Sequence, residues 1–223
     1  MESAISDAPS LRDRKKRRTR QTLIDVALER FVADGFDATT LDQLCTEVEV
    51  SKRTFFRYFT SKEDVAMAPT QDLWTAFLAE LETRPPGGDG LLLDLVRDTL
   101  VAALGQMPAE GWAERVRSSR TLAERVPSMN AHGLEFCDRT TRSALTVLND
   151  RFGFDPHDPR PRLVLDLTIA AFHWALDEWT RLPRPAGPDT LATLLGDACA
   201  AARETTTLTI STRKPHGPNT SAS

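Results

Sequence analysis

Residues 39–65 read TTLDQLCTEVEVSKRTFFRYFTSKEDV, and three side chains in this stretch stand where helices begin. Thr40 followed by Gln43 is a capping-box signature ahead of Leu41, Leu44 and Val48. Ser51 is an N-cap for a helix over 52–59, and Ser61 with Asp64 caps the next one. Upstream, residues 11–34 repeat Leu23, Ile24, Ala27, Leu28 and Phe31 at helical spacing and stop at Gly35. Three helices joined by turns of a few residues make a helix-turn-helix unit. Phe55 and Phe59, four apart, face Leu28, Phe31 and Leu44, which turns Lys52, Arg53 and Arg57 outward. Phe55 is read as core; for Phe56 core packing and exposure stay equally open.

The charge distribution agrees with a unit of this kind. The 223-residue chain has a net charge of -4, which taken alone argues against nucleic acid. Yet residues 10–20, SLRDRKKRRTR, hold seven basic residues and one acid, and residues 51–62 hold four basic residues and none. The two windows carry +10 and leave -14 to the remaining 200 residues. A clustered cationic face is the footprint of phosphate contact, and an acidic remainder keeps the rest of the molecule off the duplex. Arg53 and Arg57 are read as base readers, since arginine bonds guanine O6 and N7 bidentately; Lys52 suits a base or a phosphate. The basic arm, with Arg17 and Arg18 at its centre, is expected to contact phosphates or the minor groove.

The rest of the chain also reads as helical, so the fold class is all-α with about nine helices. Helices are expected near 61–83, 90–106, 109–125, 128–153, 160–182 and 188–209, separated by Pro- and Gly-rich breaks. The implied organisation is a disordered tail over 1–10, a helix-turn-helix domain over 11–63, a larger helical domain over 64–210 and a disordered tail over 211–223. Nothing approaches the roughly 18 apolar residues of a membrane span, so a cytoplasmic protein without membrane contact is expected. Cys45, Cys137 and Cys199, odd in number and far apart, fit reduced core thiols. There is no Gly-rich phosphate loop, nucleophile elbow or paired-ligand metal motif, so no enzyme and no cofactor are expected. His173 with Asp177 lacks a second histidine at ligand spacing and reads as a helix-surface pair, not a metal site.

Thr39 to Val65, with the basic amphipathic helix before it, resembles the DNA-binding domain of TetR-family transcriptional regulators. The resemblance rests on Val50-Ser51-Lys52, Thr54-Phe55-Phe56, Phe59 and Ser61-Lys62-Glu63-Asp64. It implies that Ser51 belongs to the DNA-contacting turn and that Thr40, Thr54, Tyr58 and Lys62 clamp phosphates. Two positions depart from the family pattern: Glu49 replaces a frequent glycine, bringing an acid near phosphates, and Phe56 replaces a common tyrosine, losing one hydroxyl.

Residues 113–181 are similar to the ligand-binding domain of a TetR subgroup with acyl-CoA-like effectors, which includes the mycofactocin-associated regulator. This implies a ligand-responsive repressor, released from a palindromic operator by a small hydrophobic or acyl-CoA-like effector; the alternative is a constitutive DNA-binding protein or an activator without a ligand. Trp74, Phe77, Leu104, Trp112, Val116, Met129 and Phe136 are the candidate pocket residues, not separable from core by sequence. For an acyl-CoA, Arg117 and Arg120 would meet phosphates or the thioester. Helix 160–182 is apolar around most of its circumference, so Leu163, Leu167 and Trp174, with Leu191 and Leu195 of the next helix, are assigned to a homodimer interface. Pro69 is expected to kink or break the helix joining the two domains and to act as its hinge.

Overall fold

In a computed structural model of the chain, residues 10–85, 90–182 and 187–208 are described. The regular structure among them is entirely helical: α1 (Leu11–Ala33), α2 (Leu41–Glu47), α3 (Lys52–Phe56), α4 (Lys62–Thr83), α5 (Leu92–Gly105), α6 (Trp112–Ala123), α7 (Pro127–Phe152), α8 (Pro159–Arg181) and α9 (Pro188–Glu204), ending in a 3₁₀ turn, Thr205–Thr207. The expected tails over 1–10 and 211–223 lie outside the described residues, apart from Ser10.

Local caps set the small helices. The Thr40 hydroxyl accepts from the Gln43 N–H at 3.3 Å while Gln43 Oε1 accepts from the Thr40 N–H at 2.7 Å, which completes the capping box. Ser51 and Ser61 cap α3 and α4 by accepting from Thr54 N–H at 3.1 Å and Asp64 N–H at 3.2 Å. The helix expected over 52–59 ends at Phe56, with Arg57 at its C-cap. Here Tyr58 and Phe59 leave the axis so that Phe59 joins Phe55 in the core, ring centroids 5.6 Å apart.

Two buried clusters organise the molecule. The first gathers Leu23, Ile24, Leu28 and Phe31 of α1 with Leu44, Phe55 and Phe59, and draws in Val65, Ala66 and Ala68 of α4, Leu122 of α6 and Met129 of α7. The second fills the space between α4, α5, α6, α7, α8 and α9. Helices α4, α6 and α7 therefore contribute to both, and each is a rigid connection between them. Polar ties reinforce this junction: Arg20 grips Asp72 with two hydrogen bonds of 2.7 Å, Arg115 reaches Asp25 at 3.2 Å, and the Trp112 indole N–H donates to the Pro69 carbonyl at 3.0 Å. The expected break at Pro69 does not occur. Helix α4 runs unbroken through it, and the proline is buried against its neighbours.

Cys45 and Cys199 are buried free thiols and Cys137 is half-buried; loss of water around each pushes its pKa up and keeps it protonated.

Candidate nucleic-acid interface and cavity

The exposed face of α3 and its C-cap carries Lys52, Arg53, Phe56 and Arg57, while Phe55 behind them is fully buried. This spacing puts three cations and one ring on a single face, as a helix entering a major groove requires. Phe56, open in either direction from sequence, is 53% exposed and packs edge-on to Phe55 with centroids 5.5 Å apart. An outward ring on this face offers an apolar surface to a thymine methyl.

Two of the three cations rest on neighbours in the free protein. Lys52 meets Asp42 at 2.8 Å, a hydrogen-bonded pair that raises the lysine pKa, and both side chains are largely exposed. An exposed, solvent-screened pair of this kind is weak, so a phosphate competes readily. Arg57 lies over the Tyr58 ring at 5.0 Å and donates to its hydroxyl at 3.1 Å. Thr54 and Ser51 share a hydroxyl contact of 3.0 Å at the start of α3, and the exposed Thr40 occupies the matching position on α2. Helix starts of this type present N–H groups suited to phosphate oxygens.

Lys62 behaves differently from its expected role as a phosphate clamp. Its ammonium donates to the carbonyls of Phe36 at 2.7 Å and Thr39 at 2.9 Å, and lies 4.6 Å from the Phe36 ring centre. The side chain ties the α1–α2 turn to α4, because two unpaired carbonyls there attract the nearest cation.

The basic arm is not an extended strand. It is the first half of α1, a continuous helix of 23 residues whose buried side chains begin only at Leu23, so residues 11–18 project as an exposed cationic spur. An α-helix about 10–12 Å across does not itself enter a minor groove about 6 Å wide, so only the side chains of the spur could reach into one. Arg12, Lys15, Lys16 and Thr19 line a cleft whose other wall is Val50, Thr54, Arg57 and Tyr58. Arg17 and Arg18, expected among the DNA-contacting residues, are exposed and lie off this cleft. The spacing of residues 12, 15, 16 and 19 is one face of a helix, and that periodicity was the available signal.

The departure at Glu49 has a backbone cause. Glu49 is a non-glycine residue with positive φ, at 54°. Its N–H donates to Thr46 O at 3.1 Å and that of Val50 to Cys45 O at 2.9 Å, the Schellman pattern that closes a helix through a left-handed residue. Glycine is favoured there because it has no Cβ to strain.

The larger domain holds two neighbouring chambers that share Trp74, Phe136 and Cys137 in their walls. The inner one, a narrow space, lies between Trp74 and Phe77 of α4, Phe136 and Thr140 of α7, and Leu165 and Thr168 of α8. Its neighbouring threonine hydroxyls donate to their own helices, Thr141 to Cys137 O at 2.8 Å and Thr168 to Val164 O at 2.9 Å, leaving the lining apolar. The outer chamber, about 140 Å³ and partly open, shares Trp74, Phe136 and Cys137 and adds Gln71, Ser119, Arg120, Asn130 and His173. Of the candidate pocket residues, Trp74, Phe77 and Phe136 line the cavity. Leu104, Trp112 and Val116 are packed in the second core cluster, and Met129 belongs to the first. Arg117 is committed elsewhere: it donates to the carbonyls of Thr180 at 2.6 Å and Trp179 at 2.9 Å, capping α8, with its guanidinium 4.6 Å from the Trp179 ring.

On the outer surface of α8, Leu163, Leu167 and Trp174 are 56%, 39% and 51% exposed, and with Ala170 they form one apolar stripe. Leu191 and Leu195, assigned to the same interface, are instead fully buried within their own domain, because α9 packs its single leucine stripe onto α5 and α8. Among the described residues no cluster of three metal-ligating side chains occurs and no helix is long and apolar enough to cross a membrane.

Comparison with known proteins gives the same account. Residues 23–68 match the family described as bacterial regulatory proteins, tetR family, and residues 91–206 match the MftR C-terminal domain. The chain is 37% identical over 194 residues to the HTH-type transcriptional regulator TcmR of Streptomyces glaucescens, covering 80% of this chain and 84% of that protein. It is 26% identical over 181 residues, 78% of this chain and 88% of the other, to a protein assigned as the mycofactocin biosynthesis transcriptional regulator MftR of Mycobacterium tuberculosis. The fold is shared with a protein described as a TetR-family transcriptional regulator from Syntrophomonas wolfei, at a TM-score of 0.55 and 16% identity over 84% of this chain and 96% of that one. A capped recognition helix beside a cationic spur, joined to an MftR-like helical domain, is thus the architecture of a DNA-binding transcriptional regulator and not an enzyme, and the chain belongs to the TetR family.

Proposed function

We propose that the chain is a homodimeric repressor that binds a palindromic operator and is released by a small hydrophobic effector. The observation that carries this reading is the double membership of α7. Met129 at its start is part of the core beneath the recognition helix, and Phe136, Thr140 and Ala144 further along line the cavity. In its present form the inner chamber has room for about one water molecule. A ligand that fills it has to part α7 from α4. Met67 of α4 rests directly on Gly133 of α7, where even an added Cβ would lie 2.8 Å from the methionine methyl, so the displacement is passed on at the junction.

The α8 stripe is the proposed two-fold seam, since an apolar row at helical spacing on an otherwise charged surface favours self-association. Any share of α9 in the seam falls to exposed residues such as Thr193, Asp197 and Ala200, and not to its buried Leu191 and Leu195. Two recognition helices related this way read half-sites about 34–36 Å apart. Arg53 and Arg57 are proposed as base readers; Lys52, Thr40, Ser51, Thr54, Tyr58 and the spur as phosphate contacts.

The test is to select genomic fragments on the full chain, footprint them, and challenge the complex with hydrophobic compounds in a gel shift. A two-fold symmetric footprint and release by at least one compound are expected. Protection of a single half-site refutes the dimer, and a complex indifferent to every compound supports the constitutive alternative.

A further inference from the structure

We propose that His132 is a proton-operated latch between α7 and the turn that carries the recognition helix, so that the hold on DNA responds to pH. This goes beyond the effector reading and stands without it. His132 lies one turn beyond Met129 on the same side of α7, and Met129 is buried in the core beneath the recognition helix. Gly133 beside it lets α4 come close, with the Met67 methyl in the space a Cβ would need. Helix α7 thereby meets a stripe of α4 made by Asp64, Met67 and Gln71, spaced as one helix face. The His132 Nε2 stands 3.1 Å from the Gln71 amide nitrogen and 3.7 Å from Asp64 Oδ1, and both the imidazole and the carboxylate are largely buried.

An amide nitrogen only donates, so Nε2 accepts from Gln71, and the arrangement is that of a neutral imidazole with its proton on Nδ1. A second proton, on Nε2, sets two donors face to face. That nitrogen then turns to the carboxylate, and a neutral contact becomes a charge-assisted bond to Asp64. The other oxygen of Asp64 already accepts from the Thr60 N–H at 2.7 Å and the Thr60 hydroxyl at 3.0 Å. Thr60 directly follows Phe59, whose ring packs on Phe55 of α3. Protonation therefore completes a chain of bonds from α7 through Asp64 to the exit of the recognition helix. Glu63 adds a second acid beside the imidazole. Loss of water raises its pKa, but bonds from its own N–H and from the Ser61 and Ser128 hydroxyls, with His132 nearby, bring it below the ordinary carboxylate value. It is thus ionised across the range from pH 5 to 8 in which histidines change charge. Lys62 of the same turn is directed away, to the carbonyls of Phe36 and Thr39.

The experiment uses the full chain and an operator fragment selected on it, with two readouts at about pH 8 and about pH 5.5, either side of the histidine range. One is the ratio of operator to random-duplex affinity, which cancels general phosphate attraction. The other is hydrogen-exchange protection of the Thr60 amide in the free protein, corrected for the intrinsic rate at each pH. On going to acid, each is expected to rise about threefold or more relative to His132→Gln, which keeps a neutral partner for Gln71 and takes up no proton. His132→Lys, charged at both pH values, is expected to show already in alkali the ratio and protection that the original protein reaches in acid. Asp64→Asn removes the acid and is expected to abolish the difference between histidine and glutamine at position 132. An acid increment of the same size in His132→Gln overturns the proposal, as does a folded His132→Lys protein that behaves in alkali as the original does there. Should the lysine variant fail to fold, the Asp64→Asn background decides, since a histidine-specific increment that survives in it also overturns the latch.

Discussion

Replacing Glu49 with glycine is expected to stabilise the protein and to tighten its hold on DNA, for two separable reasons. Glu49 sits at the left-handed position of the Schellman turn between α2 and α3, with φ at 54°. The left-handed conformation costs an L-residue roughly 1–2 kcal/mol. Glycine removes that strain but loses about 0.5–1 kcal/mol more backbone entropy on folding, so the net gain is about 0.5–1 kcal/mol. For a chain of this size that is about 1–4 °C in melting temperature. The second effect is electrostatic: an exposed acid two residues before the N-cap of α3 opposes phosphate approach. Glu49→Ala removes the charge and keeps the strain. Thermal and urea unfolding should therefore rank glycine above alanine, with alanine near the original protein, while both variants gain the same affinity for duplex DNA at low salt. Equal stability of the glycine and alanine variants would refute the strain argument, and unequal affinity would refute the charge argument.

The spur makes a prediction about faces. Changing Arg12, Lys15 and Lys16 together to alanine should flatten the slope of log K against log salt by about 0.9 per lost phosphate contact, whereas changing Arg17 and Arg18 should flatten it less. The α8 stripe is tested by Trp174→Glu, which should leave a folded monomer in analytical ultracentrifugation and weaken operator binding at least tenfold. Leu195→Ala, by contrast, should cost about 2–5 kcal/mol of stability because that side chain is fully buried in its own domain. His173 predicts a pH dependence. Its folded-state pKa lies below 6.5, so as pH falls through 6.5 the unfolded chain takes up the proton first. Stability present above pH 6.5 is lost below it, and the drop in urea midpoint between pH 7.5 and 5.5 should shrink in His173→Asn. An unchanged drop would show that other groups set the acid limb.

Which features were legible in the sequence depends on how local their causes are. The starts of α2, α3 and α4 were readable because Thr40, Ser51 and Ser61 bond to N–H groups three residues away. The end of α3 was not, since the burial of Phe59 depends on partners in α1. The basic run was plain, but which of its residues share a cleft with α3 follows from helical geometry, which brings Arg12, Lys15 and Lys16 there and leaves Arg17 and Arg18 off it. The residues assigned to the seam divide for a related reason. Helix α8 buries one row, Leu165, Ala171, Phe172 and Trp179, and has a second, Leu163, Leu167 and Trp174, left over. Helix α9 has a single row, Leu191, Leu195 and Cys199, and spends it inside. A helix with two apolar rows has one to offer a partner, and a helix with one does not. At Glu49 the missing glycine was visible, but the backbone φ that calls for it needed coordinates.

The spur carries one more consequence. Arg12 with Lys16, and Arg14 with Arg18, are like-charged neighbours one helical turn apart, each opposing the helix by a few tenths of a kcal/mol. No apolar burial offsets this before Leu23, so the free spur relies on the Ser10 cap, with its hydroxyl accepting from the Asp13 N–H at 3.1 Å, and on propagation from the rooted half of α1. A duplex reverses the sign of that repulsion, because each phosphate placed between two cations turns a helix-breaking pair into a bridge. The first turns of α1 should therefore be steadied by duplex of any sequence, ahead of the moment when the recognition helix meets the bases it is built to tell apart.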